Sequence, residues 1–167
     1  MIKKNLLIAV AAAWLALAAG AGDAGPPTAP NGIAMVQGYR EWQLVAPSFR
    51  PDKEHIRVIL GNEAAIKACR SGARPFPDGA VFAKIAWKTR KHPEYPDAVI
   101  PGPFAQVEFM IKDAGKYKET AGWGFARFVG QELRPYGRDP GFARECFACH
   151  EPLAGNDFVF TSLAEVP

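Results

Sequence analysis

Apolar and polar residues alternate in several short stretches of this chain. His55 to Leu60 sets Ile56, Val58 and Leu60 against His55, Arg57 and Ile59, the period of two expected of a strand. Residues 80–89 repeat the pattern, with Val81, Ala83, Ile85 and Trp87 opposed to Phe82, Lys84, Ala86 and Lys88. Gln106 to Lys112 does so again, placing Val107, Phe109 and Ile111 opposite Gln106, Glu108, Met110 and Lys112. Residues 123–128 and 157–161 read as two further strands, and a loop is expected around Pro93, Pro96, Pro101 and Pro103. Helical signals occur twice. Asn62 is placed as an N-cap ahead of Glu63, Ala64, Ala65, Ile66 and Ala68, with Gly72 closing the helix. Gly141 to His150 has helical composition. Fifteen prolines and sixteen glycines spread between short alternating runs exclude a helical bundle. The expected fold is α+β, a mainly antiparallel sheet with packed helices, the C-terminal one ending at His150.

The 167 residues suffice for one domain with a real core. Met1 to Ala21 reads as a secretory signal: Lys3 and Lys4 begin it, Leu6 to Ala19 is continuously apolar, and Ala19-Gly20-Ala21 offers small residues for cleavage. Residues 22–37, with "AGPPTAP" at 24–30, are expected as a leader, and 38–167 as the folded domain. The expected location is the periplasm. Loss of two lysines would leave 18 basic residues against 17 acidic ones. That balance gives no reason to expect nucleic-acid binding, and the run Lys84, Lys88, Arg90, Lys91 reads as a solvated edge, with a docking patch as the alternative.

Chemistry concentrates at Cys146-Phe147-Ala148-Cys149-His150. Cys-x-x-Cys-His is the attachment pattern of c-type haem. Two thiols one helical turn apart can reach two vinyl groups on a porphyrin edge, and the adjacent imidazole is carried beneath the ring to ligate iron. The residues predict one covalent haem c per chain, with Cys146 and Cys149 as attachment points and His150 as iron ligand. A redox dithiol and a structural zinc use the same residue types; zinc would take its fourth ligand from Cys69, His55, His92 or a carboxylate. Cys69 is otherwise expected as a buried small apolar residue. Neither Met35 nor Met110 follows the motif, so the sixth iron position is expected to be open, with His55 and His92 as weaker contenders.

With this motif late in a β-rich chain, the sequence resembles the cytochrome P-460 family, which includes the cytochromes c′-β. The resemblance rests on "GYREWQLV" (38–45), "IRVIL" (56–60), "DGAVFAKIAW" (78–87), "EFMIKDAGKY" (108–117), "GWGFARF" (122–128), "CFACH" (146–150) and "DFVFT" (157–161). It implies that Lys84 matches a lysine bonded to a meso carbon of the haem, in a pocket shared with Phe82 and Ala86. It also implies that Arg57 matches an arginine on the distal side, so that Lys84 and Arg57 are the candidate catalytic residues. Two activities follow from the resemblance. One is oxidation of hydroxylamine or a similar small nitrogen compound, with electrons passed to a soluble partner. The other is capture of nitric oxide or carbon monoxide at iron enclosed by residues such as Phe82 or Phe125, or electron transfer without turnover. Relatives that oxidise hydroxylamine carry a distal carboxylate before the motif; here Asp139 and Glu145 stand there, and neither aligns. The family tends toward homodimers.

Overall fold

The computed structural model describes residues 25–165. The signal expected over Met1–Ala21 lies outside them. Six strands form one antiparallel sheet in chain order: β1 Gln43–Arg50, β2 His55–Gly61, β3 Val81–Lys91, β4 Val99–Lys112, β5 Trp123–Val129 and β6 Arg134–Pro135. Two helices, α1 Glu63–Ser71 and α2 Phe142–His150, complete the α+β architecture. A 3₁₀ segment, Glu151–Asn156, follows α2.

Because each strand pairs with its neighbour in the chain, the alternation predicted for single strands becomes rows across the sheet. On one face Leu60, Ala83, Phe109 and Ala126 align, as do Val58, Ile85, Val107 and Phe128. This face is covered by Ile33, Met35, Tyr39 and Phe142, forming one buried cluster. The opposite face carries a row of Phe82, Met110 and Phe125, and beside it a row of Ile59, Lys84, Glu108 and Arg127. α1 and the first apolar row close a second cluster there, which holds Val45, Ile66, Phe76 and Trp123.

Asn62 caps α1 as expected: its Oδ1 accepts from the Ala65 amide at 3.0 Å. The same oxygen accepts from Val81 N at 3.0 Å and the side-chain amide donates to Gly79 O at 2.8 Å, so one residue ties the helix start to the start of β3. Gly72 ends the helix at φ 68°. In β5, a Cβ at Gly124 would lie 2.5 Å from the Tyr117 ring, so only glycine lets that ring lie on the strand.

Two expectations change, and one strand is added. Residues 157–161 are not a strand: Asp157 and Phe158 have φ 48° and 66°, and two successive left-handed residues cannot form a pleat. The proline-rich loop is shorter than predicted, since β4 begins at Val99 and includes Pro101 and Pro103. There β3 and β4 run on past the neighbouring strands, whose pairing stops at Lys88 and Gln106, so prolines remove no bond from a third strand. β1 was not expected; its Pro47 is tolerated because β1 is an edge strand. The segment expected as a leader is packed where it is described. Ala29, Ile33 and Met35 are buried, and Asn31 Nδ2 donates to Phe125 O at 2.8 Å.

Candidate functional site

α2 lies against β5 at the end of the sheet. Its first turn buries Phe142 in the first apolar cluster, and Ala143, Cys146 and Phe147 pack on the second, so the helix straddles both faces. Asp139 Oδ1 accepts from Gly141 N at 2.7 Å just before it. Arg144 pairs with Glu119 at 2.9 Å on its outer side.

This docking sets the exposure of the motif. Cys146 is half-buried and Cys149 is exposed, and both thiols are free. Burial pushes the Cys146 thiol up, with nearby Arg127 working against it. His150 is partly buried, its ring 5.2 Å from that of Phe125 and 4.8 Å from that of Phe160. Burial pushes its imidazole down, and the hydrogen bond to Phe158 acts in the other direction. His150 Nδ1 lies 2.7 Å from the carbonyl oxygen of Phe158. A carbonyl only accepts, so Nδ1 carries the proton and Nε2 is left with a lone pair, the form in which imidazole binds a metal.

Facing α2, the charged row of the sheet brings Lys84 against Glu108. Their ion pair joins β3 to β4, and Arg127 Nε reaches the other carboxylate oxygen of Glu108 at 2.6 Å from β5. Arg127 in turn stacks on Tyr136, 4.4 Å from ring centre to guanidinium carbon. Burial would raise the Glu108 carboxyl, but Lys84 and Arg127 together outweigh it and hold it below the usual glutamate range. Lys84 thus has a carboxylate partner, and its side chain is about one-third exposed. Glu108 and Arg127 were missed from the sequence. Glu108 stood on the right face of its predicted strand, but its position opposite Lys84 depends on register between strands.

Arg57 lies on the same face, opposite Ala86 and diagonal to Lys84. Its Nε is buried without a hydrogen-bond partner among the described residues, and burial together with Arg50 lowers its affinity for a proton. Of the other residues considered, Asp139 and Glu145 are exposed, and Cys69 is half-buried against the second cluster. Met35 is buried on the opposite face, and Met110 packs within the second cluster. His92 Nδ1 accepts from the amides of Glu94 and Tyr95 within its own loop. His55 begins the strand that carries Arg57. Among the described residues, no group of three or more His, Cys, Asp or Glu is arranged to hold a metal ion. The zinc alternative therefore lacks a preassembled donor set. Two clefts of about 760 and 300 Å³ are lined by neither the motif, Lys84 nor Arg57.

The residues fit a haem. Two free thiols one turn apart and a neutral imidazole with its free nitrogen fixed are the donors such a group needs, and Phe125, Phe147 and Phe158 supply apolar surface beside them. No curated protein matches the chain. The family model for cytochrome P460 matches residues 36–161, which include all these residues.

Proposed function

The chain belongs to the cytochrome P460 family and is a haem protein of that family; from this we propose that it is an exported c-type cytochrome that oxidises hydroxylamine or handles small nitrogen oxides. The observation that carries the reading is the fixed tautomer of His150, within one helical turn of two free thiols. In this reading Cys146 and Cys149 hold the haem as thioethers, and His150 Nε2 is the protein's ligand to iron.

Bound haem supplies an iron that takes up a small ligand and exchanges electrons. The chain's own residues set the conditions. Phe125 packs beside His150, 5.2 Å between ring centres, and Phe147 packs against Phe125. Arg57, with its unsatisfied Nε, offers a fixed positive charge to a polarised nitrogen or oxygen atom. Lys84 is the candidate for a bond to the porphyrin edge; that bond would replace a ring C–H, releasing two protons and two electrons to an external oxidant, and the ion pair with Glu108 would have to open for the amine to reach carbon. A soluble electron acceptor would complete the cycle in the periplasm. No helix among the described residues is long and apolar enough to cross a membrane.

A second reading is supported by the exposure of Asp139 and Glu145. With neither acid enclosed, the site lacks the pre-motif carboxylate of the hydroxylamine-oxidising relatives, which favours gas binding of the cytochrome c′-β kind. One preparation separates the readings: protein made with haem-maturation machinery, examined by intact mass, reduced absorption spectrum and turnover with an added oxidant. A red-shifted main band that Lys84→Ala abolishes, with hydroxylamine turnover, supports the enzyme. An ordinary c-type spectrum with fast nitric oxide binding supports the binding protein. Colourless material whose two motif thiols remain alkylatable would overturn both.

A further inference from the structure

Just after the motif, the backbone takes a conformation that ordinary side chains avoid. Asp157 and Phe158 are successive residues at φ 48° and 66°. The left-handed region costs about 1–2 kcal/mol per residue, and for a bulky ring it is an outlier. Such strain persists where the surroundings over-determine it, and it marks places where geometry matters.

The surroundings here are specific. Asp157 is 8% exposed and Lys112, near the end of β4, is 5% exposed. Lys112 Nζ lies 2.8 and 2.9 Å from the two carboxylate oxygens of Asp157. One of those oxygens also accepts from Phe76 N at 2.8 Å, and the ammonium sits 4.9 Å from the centre of the Trp123 ring. Asn156 braces the same turn, accepting from Arg74 Nε at 2.8 Å and donating to Val159 O at 2.6 Å. The product of this twist is the Phe158 carbonyl, aimed at His150 Nδ1.

A buried ion pair is a weak source of net stability, since desolvation offsets most of the attraction. Its directional effect is what distinguishes it here. We infer that Lys112 and Asp157 are positioning residues for His150: their pair clamps the 157–158 turn to β4, and the turn holds the acceptor that sets the histidine's tautomer and ring orientation. Neither touches the imidazole. The inference rests on the reading of His150 as iron ligand. A fixed hydrogen bond from Nδ1 makes the ring a stronger donor through Nε2, which favours ferric iron and lowers the potential.

The test uses reduced holoprotein, with the iron–histidine stretching band and the midpoint potential as readouts. Lys112→Met combined with Asp157→Asn removes both charges, keeps an acceptor for Phe76, and places at 157 a residue that tolerates positive φ. The expected result is a covalently attached haem with a lower, broader iron–histidine frequency and a raised potential. Lys112→Arg, which keeps the cation, should retain the wild-type values. A folded double variant with wild-type frequency and potential would overturn the clamp. A second measurement needs no variant: the Nδ1 proton of His150 should exchange with D₂O far more slowly than that of a solvent-exposed imidazole, and exchange at the exposed rate also overturns it. Absence of any iron–histidine band in wild-type protein would instead remove the ligand reading.

Discussion

Lys84 on β3 and Glu108 on β4 face each other directly across the sheet, and the same carboxylate is shared with Arg127 on β5. Three strands thus meet at one partly buried acid, on the face that carries Phe82, Met110 and Phe125. The stability of that junction depends on the acid being ionised.

Its pH dependence follows from the direction of the Glu108 shift. The folded-state value lies below the unfolded one, so the group stabilises the fold fully above the unfolded value, roughly 4.3, and the contribution is lost as pH falls through the folded value. Urea midpoints of wild type should therefore decline more steeply below that point than those of Glu108→Gln. At neutral pH the variant should lose about 1.5–3 kcal/mol, the range for hydrogen bonds to charged groups. Parallel pH profiles would refute the assignment.

Replacing the thiols separates attachment from ligation. Cys146→Ala with Cys149→Ala should leave any bound haem extractable by acidified solvent, whereas wild type should retain it through denaturing electrophoresis. His150→Ala should keep the covalent haem and lose the iron–histidine band. Extraction of haem from wild type by the same treatment would rule out thioethers.

Arg57 Nε is a buried donor without a partner among the described residues. Arg57→Leu should weaken binding of nitric oxide or hydroxylamine about tenfold or more, the loss expected for one charged donor. Unfolding midpoints should change little, because no protein partner is lost at Nε. Unchanged affinity would reduce Arg57 to a structural residue.

Asn62 links α1 to the start of β3 through three hydrogen bonds. Asn62→Ala should destabilise the protein by about 1–2 kcal/mol, at or above the usual value for a cap. Thermal unfolding of matched holoproteins measures it. A neutral result would mean that water replaces all three bonds.

The sequence was most legible where one strand or helix decides its own pattern. Asn62, Gly72, the alternation in β2, β3 and β5, and the helix ending at His150 all follow from local rules. Residues 157–161 misled because alternating Phe158 and Phe160 look like a pleat, while the buried Lys112–Asp157 pair imposes a turn. Glu108 was visible as a residue but not as a partner, since periodicity within β4 carries no information about its alignment with β3. The family resemblance drew attention to the acids before the motif, and the enclosed carboxylate lies on the sheet instead.

The order β1 to β6 means that no strand waits for a distant one: every ladder in the sheet closes between chain neighbours. The platform of Lys84, Glu108 and Arg127 is thus built wholly from neighbouring strands, and α2 adds the two thiols to it from outside the sheet, against β5.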